Sequence, residues 1–373
     1  MTVRVVRKPD DAEELVVQWS DLADQTGGRH YTHPFWCLAW WNHLGRGELH
    51  IVVVESAGAL LGLAPLYRQR LAGVDRYRFI GANLGPVSEV LVAPGHEAAG
   101  RELWSALLDE RRSVLDLHGY RHGGLGLTAL RRSEGRSWSA ELSSACPTIA
   151  VKGTLGEYME ARPSSLRRKL RRADHRREQE GASVEVSVFT DIDDVTRRVA
   201  DVTAVFDRAE AAHPRLHFLS GAYRGFTVDM LRAAASQSRL AMLVLYINDC
   251  PVASAFALRS GTTWSYSGPR FDPAAGEFSP GHLVMRALVG HAFAAGATEV
   301  DLLTGDLPYK REWSDGAYDV ATVYAASSPG LQALRRLADL ESNFAGALKA
   351  SIEGRWHSFW NARGRAASEV VSR

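Results

Sequence analysis

The chain has 373 residues, of which 46% are hydrophobic and 23% are charged, and its formal net charge at pH 7 is +1. This composition is typical of a folded globular protein, and the length predicts two domains because a single core rarely extends beyond about 250–300 residues. A near-neutral chain has no global field that attracts nucleic acid, so any basic binding site must be local.

The N-terminus and the cysteines predict the cellular compartment of the protein. The first residues lead into charged sequence without an apolar stretch, and no apolar run reaches the roughly 20 residues of a membrane-spanning helix. Cys37, Cys146 and Cys250 are odd in number and far apart, which argues against a disulfide framework and indicates a reducing compartment. We therefore predict a soluble, cytoplasmic protein without a membrane span.

The first half of the chain predicts one unit of mixed helices and strands. Hydrophobic periodicity predicts strands at residues 3–7, 49–55, 60–70, 87–92 and 114–117, and helices at residues 10–24, 33–41 and 96–111. The turn residues Ala57 and Gly58 join the second and third strands as a hairpin. The helix at 33–41 is rich in tryptophan, which indicates core packing or, alternatively, a wall on which a ligand stacks.

Residues 164–181 have the most unusual composition in the chain, because basic residues dominate their first half. Ser164 or Ser165 is a suitable N-cap, Gly181 is a suitable end, and nothing between them breaks a helix, so the segment predicts a helix of roughly 27 Å. Its narrow apolar stripe consists of Leu166, Leu170 and Ala173.

Two interpretations of this basic helix remain open. In the first, the helix is solvated and its charges pair along the surface, for example Asp174 with Arg171 or Arg177. In the second, it binds a phosphate-bearing substrate. The candidate substrate-binding residues are then Arg168, Arg171 and Arg172.

The second half repeats the order of elements seen in the first. Helices are predicted at residues 191–212 and 220–235, strands at 240–247, 252–258 and 262–268, a helix at 281–295 and a strand at 299–303. We predict an α+β fold of two duplicated units, each a mostly antiparallel mixed sheet flanked by helices. The expected domains are residues 1–150 and 151–328, followed by a helical tail at 329–373.

The stretch at residues 278–313 carries the strongest functional signal. Ser279 is a suitable N-cap, Pro280 fits a first helical turn, and Gly281 lets an anion approach the exposed amides of that turn. Directly after the next strand, a polar loop gathers Asp306, Tyr309, Lys310 and Arg311. A phosphate-binding helix start beside a loop of titratable groups predicts an acyl-transfer site.

These two segments resemble the GNAT acyltransferases of the cellulose-biosynthesis-associated (CelD/BcsL-like) type, which carry a similar SPG helix start and a similar GDxPYKRxW run. More distantly, the chain is similar to the Fem-type aminoacyl-tRNA-dependent peptidyltransferases, which contain two GNAT-like halves. The resemblance covers residues 150–325 well and the first 150 residues loosely. It implies two tandem GNAT-like units. It also implies transfer of an acyl group, with acetyl as the first candidate, from acetyl-CoA or another acyl-CoA to an amine of a small molecule or glycan precursor.

Acyl transfer needs amides for the diphosphate of the donor, a group that accepts the proton of the amine, and a donor to the carbonyl oxygen. The catalytic candidates are Asp306 as base or amine-orienting group, with Lys310 or Tyr309 as oxyanion or leaving-group partner. The cofactor-binding candidates are Ser279, Gly281, His282 and Arg270, and further substrate-binding candidates are Arg311 and Trp313. Tyr309 and Trp313 alternatively anchor the loop by packing.

Two alternatives to an acyl-CoA enzyme remain. A Fem-like transferase would take its acyl group from aminoacyl-tRNA and grip the RNA with the basic helix, although Fem enzymes with an RNA-contacting arm use a long helical hairpin and only one helix is visible here. A non-catalytic adaptor would keep the fold and bind a nucleotide or an anionic glycan. The expected partner is a small-molecule acceptor, which carries phosphate if the basic helix contacts it.

Two further motifs carry weaker signals. Residues 121–126 match the R-x-x-G-x-G loop of many GNAT enzymes and, read to Ala129, the dinucleotide fingerprint G-x-G-x-x-A. Their place late in the first unit, without a βαβ unit around them, favours a glycine turn over a ligand loop. The histidine pairs at 118/122 and 213/217 have helical spacing, but Gly119 and Pro214 disrupt both, so we predict no metal.

Overall fold

The computed structural model of the chain describes residues 1–71, 73–82, 84–109, 112–131 and 138–326. Its first half contains, in chain order, β1 (Thr2–Val6), α1 (Pro9–Glu13), α2 (Val16–Gln25), α3 (Pro34–Leu44), β2 (Glu48–Ser56), β3 (Ala59–Leu71), β4 (Val74–Phe79), β5 (Leu91–Val92), α4 (Glu97–Leu108), β6 (Ser113–Arg121), α5 (Leu125–Arg131) and β7 (Trp138–Ala150).

The second half continues with α6 (Leu155–Glu160), α7 (Ser164–Glu180), β8 (Val184–Phe189), α8 (Ile192–Ala212), α9 (Gly221–Ser236), β9 (Leu240–Ile247), β10 (Cys250–Ser260), β11 (Thr263–Phe271), α10 (Pro280–Ala294), β12 (Glu299–Asp301), α11 (Pro308–Trp313) and β13 (Gly316–Ala326). None of the helices in this described part is long and apolar enough to span a membrane.

All the strands join one mixed sheet in the order β1-β2-β3-β4-β6-β13-β7-β12-β11-β10-β9-β8, with β5 beside β3. The pairs β4–β6 and β11–β12 are parallel, and each is preceded by antiparallel strands and joined by a crossover that contains α4 or α10. Two α+β units with the same element order therefore follow each other along the chain. This confirms the predicted fold class.

The two units exchange their last strands. β7 follows the first unit in sequence, yet it pairs with β12 of the second unit as well as with β13. β13 comes from the end of the second unit and lies beside β6 of the first. The predicted domain boundary at residues 150 and 151 falls at the end of β7. We name this arrangement of β7 and β13 the strand exchange.

Three hydrophobic cores hold the helices on the sheet. One core packs α4 and α5 against the first unit, and a second packs α6, α7 and α10 against the second unit. The third is shared: it brings α2 and α3 of the first unit onto α8 and α9 of the second, with Trp36 in edge contact with Phe226 at 5.5 Å. Trp36 and Trp40 are buried there, so these tryptophans of α3 serve the core rather than a ligand wall.

Several predicted elements differ in detail from the structure. The helix predicted at 10–24 is divided into α1 and α2, and the strand predicted at 87–92 shrinks to β5 and one bridge of Ser88 with Tyr120. The loop predicted after β12 contains the helix α11. The elements that were not predicted are β4, β7, β8, β13, α5 and α6. The tail helix predicted within 329–373 lies outside the described residues.

The basic helix α7 agrees with its predicted bounds. Leu166, Leu170 and Ala173 are buried, and Gly181 ends the helix in the left-handed conformation at φ 59°. The predicted cap is wrong, because Pro163 holds the N-cap position and no side chain caps the helix. The apolar stripe places α7 on the second core, and the opposite face is left to solvent.

Candidate functional site

The parallel strands of the second unit part from each other after three residue pairs. The last pair joins Ser265 of β11 to Asp301 of β12. On its other side β12 pairs with β7, and this pairing continues beyond Asp301, because the amide of Leu302 donates to the carbonyl of Pro147 at 2.9 Å. In the described chain, no main-chain hydrogen bond joins β11 to the residues after Asp301. The main-chain pairing therefore ends at the carboxyl ends of two parallel strands, and we call this place the strand opening. In open sheets of this kind, ligands bind outside such strand ends.

The corresponding opening in the first unit is closed by its own chain. The pairing of β4 with β6 also ends after three residues. Ser88 then lies against β6: its amide donates to the carbonyl of Gly119 at 2.8 Å, and its carbonyl accepts from the amide of Arg121 at 3.0 Å. The two units thus differ at their parallel strands, and the second unit has the geometry that can admit a ligand.

Helix α10 begins at the edge of the sheet where β11 and β12 separate. Ser279 stands at its N-cap position with φ 52°, and its carbonyl accepts from the amides of His282 and Leu283. The expected side-chain cap by Ser279 is absent, because the left-handed backbone does not bring the hydroxyl to the first turn. A Cβ added to Gly281 would meet open space, so an anion has room to reach this turn.

A buried ion pair fixes the point where β12 leaves β11. The carboxylate of Asp301 is fully buried and accepts from Arg29 Nε at 2.5 Å and from the Tyr318 hydroxyl at 2.6 Å. Its other oxygen accepts from the amide of Leu303 at 2.7 Å, where the backbone takes φ 59°. Arg29 also donates to Glu299 at 2.6 Å. One carboxylate therefore joins the first unit, β13 and the turn after β12.

The charge of Arg29 is maintained in this buried position. Burial lowers the pKa of the guanidinium, but Asp301, Tyr318 and Glu299 outweigh that effect and raise its pKa above the ordinary value. The network was not predicted from the sequence. One signal did exist, since an aspartate interrupts an apolar strand at similar positions in both units, Asp116 in β6 and Asp301 in β12.

Lys310 supports the separated end of β12 from α11. Its side-chain nitrogen donates to the carbonyls of Leu303 at 3.1 Å and Thr304 at 2.7 Å, and the residue is only 5% exposed. In the described chain these carbonyls receive no main-chain amide, because the strands have parted. Burial lowers the pKa of Lys310. Lys310 thus donates the hydrogen bonds that a neighbouring strand would otherwise donate. The sequence had predicted Lys310 in a polar loop, where this role is not expected.

Asp306 and Arg311 form a surface pair on the same loop. Both carboxylate oxygens of Asp306 accept from the guanidinium of Arg311, at 2.5 Å each, and this hydrogen bonding lowers the pKa of Asp306. A carboxylate with a lowered pKa is a weaker proton acceptor. Burial raises the pKa of Tyr309 to about 12, so its phenol keeps its proton and can act as a donor.

Trp313 and His282 anchor α11 to the start of α10. The Trp313 indole is fully buried and donates from Nε1 to His282 Nδ1 at 3.2 Å. The carbonyl of Trp313 accepts from Tyr158 and from Arg162. These contacts agree with the alternative interpretation of Trp313 as a packing anchor, and they hold the candidate loop against the candidate donor helix.

The remaining predicted residues lie in two different settings. Arg270 is buried and donates to Glu210 and to the carbonyls of Pro269 and Leu216, so this placement lends no support to a cofactor contact. On α7, Asp174 pairs with Arg286 of α10, and not with Arg171 or Arg177 as the solvated interpretation expected. Arg168, Arg171 and Arg172 are exposed, and no ion pair engages them within the described residues.

A cleft of about 430 Å³ lies where the two units meet at the strand exchange. Its walls come from β6, from residues 82 and 84–86, from the exchanged strands β7 and β13, and from Thr304 and Gly305. The lining residues are Ala82, Leu84, Gly85, Pro86, His118, Gly119, Ser143, Ser144, Thr304, Gly305, Val320 and Thr322. The segment that Lys310 supports is therefore one wall of this cleft.

The glycine motif at residues 121–126 is a packed turn. Gly123 has φ 88°, Arg121 pairs with Glu89 at 2.8 Å, and a Cβ on Gly126 would clash with the Val90 carbonyl. Gly124 is crowded by the Glu89 carboxylate and Gly126 by the Val90 carbonyl, so these two glycines leave no room for a phosphate, in agreement with the predicted turn. In the described part of the chain, no group of three or more His, Cys, Asp or Glu side chains is placed to hold a metal ion.

Comparisons with known proteins agree with this geometry. Residues 164–311 match the family described as Acetyltransferase (GNAT) domain, and no curated protein matches the chain. The crystal structure of FemX superposes with a TM-score of 0.60 at 11% identity, covering 89% of this chain and 99% of that one.

Two further solved structures share the fold. The C-terminal domain (DUF2156) of a putative lysylphosphatidylglycerol synthetase from Agrobacterium fabrum gives a TM-score of 0.55 at 13% identity, covering 87% of this chain and 95% of that one. L-PGS from Bacillus licheniformis gives 0.51 at 11% identity, covering 88% and 96%. Residues 164–311 are thus similar to GNAT acetyltransferase domains, and the chain as a whole shares its fold with these three proteins.

Proposed function

We propose that this chain is an acyltransferase of the CelD/BcsL-like type that moves an acyl group, with acetyl the first candidate, from acyl-CoA to an amine of a small molecule or glycan precursor. The observation that carries the proposal is the difference between the units: β11 and β12 part beside an accessible helix start, whereas Ser88 closes the same place in the first unit. A GNAT domain over residues 164–311 supports the reaction class.

Different residues of the second unit have different roles in the proposed reaction. The first turn of α10, at Gly281, would hold the diphosphate of the donor, and the bound thioester supplies an activated acyl carbon. Lys310 keeps the Thr304–Gly305 backbone in place between the strand opening and the cleft. Tyr309 keeps its proton and is the candidate donor to the leaving sulfur. Asp306 remains a candidate for orienting the amine, although its pair with Arg311 makes it a weak base.

Replacing Gly281 with valine is expected to weaken acetyl-CoA binding at least 10-fold with little change in stability. The side chain would enter the open space beside the first turn of α10 and keep an anion from its amides, while valine is not a poorer helix former than glycine. Isothermal titration with acetyl-CoA and with CoA measures the effect. In the wild type, a midpoint of thermal unfolding that rises with acetyl-CoA concentration tests the proposed function itself.

Gly290→Ala is the matched control for this change. It lies in the same helix, and its added Cβ would stand 3.7 Å from Leu155, an ordinary contact. Equal acetyl-CoA affinity of Gly281→Val and Gly290→Ala would place the donor elsewhere. If the wild type binds the donor but transfers nothing to a panel of amines, the adaptor interpretation gains support.

A second candidate, transfer from aminoacyl-tRNA, is favoured by the exposed arginines of α7. Arg168, Arg171 and Arg172 face solvent, whereas Lys169 pairs with Glu312 and Arg176 pairs with Glu277. A cation row without carboxylate partners in the described chain suits a phosphate-bearing ligand. The resemblance to Fem-type enzymes supports RNA as that ligand. A small acceptor or donor that carries phosphate would need fewer contacts and is the alternative ligand.

The salt dependence of binding separates these donors. For RNA, log affinity should fall against log salt with a slope near −0.7 to −0.9 per phosphate contacted, and Arg168→Gln with Arg171→Gln should reduce that slope. We expect the shallow slope of a small ligand, because the chain as a whole is almost neutral. The charge-matched control, Arg197→Gln with Arg198→Gln on α8, should change neither slope nor affinity. A steep slope with ribonuclease-sensitive activity would replace acyl-CoA by aminoacyl-tRNA.

A further inference from the structure

The cleft at the strand exchange contains one ionisable side chain among its lining residues, His118 of β6. Ser143, Ser144 and Thr322 also line it, and most of the remaining lining residues are apolar or glycine. The cleft therefore carries no fixed charge of its own. Such walls suit an acceptor with an uncharged body, whose reacting amine approaches the imidazole.

Both nitrogens of the His118 ring have a defined neighbour. Nε2 lies 3.0 Å from Oδ1 of Asp116, and Nδ1 lies 3.3 Å from the hydroxyl oxygen of Thr322 on β13. The ring also stands edge-on to Tyr324, with 5.9 Å between centroids. The imidazole is thus held between two strands, one of which reaches this place only because of the strand exchange.

Asp116 determines which nitrogen of His118 can accept a proton. It is fully buried; burial raises its pKa, but the hydrogen bond from His118 and the charge of Arg76 outweigh this and hold the pKa below the ordinary value. Arg76 donates to Oδ2 at 2.9 Å, and Arg78 lies 3.8 Å away. An ionised carboxylate only accepts hydrogen bonds, so Nε2 must carry the ring proton and Nδ1 must be the acceptor. Nδ1 is the nitrogen that meets Thr322 in the cleft.

We propose that His118 is the proton acceptor for the acceptor amine, bound in the cleft at the strand exchange, and that Asp116 is its positioning residue. This assignment rests on the proposed acyl transfer. The amine enters as an ammonium and donates to the Thr322 hydroxyl oxygen; that oxygen takes one ammonium proton as its own hydroxyl proton passes to Nδ1 of His118. The lone pair of the amine then forms the C–N bond to the acyl carbon, the C–S bond breaks with its electrons on sulfur, and the second nitrogen proton passes to that sulfur. The products are an amide, a thiol and an imidazolium, which returns its proton to water.

The Thr304–Gly305 backbone connects this cleft to the donor opening. It lines the cleft on one side and rests on Lys310 at the end of β12 on the other. Donor and acceptor would thus be bound by different units and meet across one short segment. Asp306, on the exposed side of that segment and paired with Arg311, is less suited to take the proton.

The test uses the full chain with acetyl-CoA as donor and glucosamine, ethanolamine and glycinamide as acceptor probes. His118→Ala should lower the rate of thiol release about 100-fold or more, the usual range for loss of an acid–base group. Its acetyl-CoA affinity should stay within error of the wild type, and its thermal midpoint should fall but leave the protein folded, because buried Asp116 loses the hydrogen bond from His118 but keeps Arg76. Added imidazole should restore part of the rate, which a purely structural role would not allow. Asp116→Asn should lower the rate as well and, because the imidazole of His118 is present, should not respond to imidazole.

His122→Ala is the matched control. His122 lies just past the same strand, contacts Arg131 rather than the cleft, and its loss should change nothing. A His118→Ala enzyme with full activity, or one that imidazole does not rescue, would overturn the assignment and leave the donor site in place. Donor binding without transfer to any of the three amines would equally overturn it. Absence of acetyl-CoA binding in the wild type would instead remove the proposed function.

Discussion

Replacing Arg29 with methionine is expected to lower the free energy of unfolding by about 3–5 kcal/mol. Arg29 is the cation for a fully buried carboxylate, and methionine fills much of its volume without its charge. The loss would leave Asp301 ionised without its main partner in a place that water does not reach. Because the pair joins the first unit to β12, the effect should appear in the main unfolding transition, followed by tryptophan fluorescence in urea.

Arg4→Met provides the comparison for this change. Arg4 also pairs with a carboxylate, Glu55, but the two side chains are 41% and 26% exposed. A pair that water screens contributes about 0–1 kcal/mol, so its loss should hardly move the urea midpoint. If both variants lose the same small amount, the Arg29–Asp301 pair does not hold the units together as described.

Replacing Lys310 with methionine is expected to lower acyl transfer about 100-fold while acetyl-CoA affinity changes less than 3-fold. The lysine satisfies two carbonyls in the segment between donor opening and cleft, and a displacement of about 1 Å in such a segment can cost this factor. The buried Leu303 carbonyl, left without a donor, should also cost about 1–3 kcal/mol in stability, and the half-buried Thr304 carbonyl should cost less. Steady-state kinetics and titration calorimetry separate the turnover effect from donor binding.

Asp306→Asn is the companion variant on the same loop. Asp306 is exposed and is a candidate only for orienting the amine, and asparagine keeps an oxygen at that place, so we expect turnover to fall by less than in Lys310→Met. A loss as large as that of Lys310→Met would return Asp306 to the role of base. Circular dichroism of both variants shows whether the fold is kept.

The sequence predicted those elements whose pattern is local. The apolar stripe of α7 is visible because Leu166, Leu170 and Ala173 recur at helical spacing, and all three are buried. Element order in the second unit followed from continuous apolar runs such as β9. Each of these signals lies within one element and needs no knowledge of its neighbours.

The site depends on contacts that local patterns do not contain. Arg29 and Asp301 are 272 residues apart, and nothing near either one indicates the other. β7 and β13 were missed because their partners come from opposite units, and because each strand begins with a half-buried or exposed stretch that resembles a surface segment. Lys310 was expected in a polar loop, whereas the parting of β11 and β12 creates unpaired carbonyls that draw it inward. Hydrophobic periodicity identifies a helix or strand, but it does not show which main-chain groups beside that element lack a hydrogen-bond partner.

The strand exchange also bears on how such a chain can have arisen. Two separate copies of one unit that traded their last strands would form an intertwined dimer, since each copy would leave an open edge that only the other could fill. Residues 151–163 link the two units in this chain, so the same trade takes place within one molecule and at a high effective concentration. Once fused, the copies were free to diverge: one could close its strand opening and contribute a cleft wall, while the other kept the opening. A homodimer cannot acquire this asymmetry, because each substitution occurs in both of its subunits.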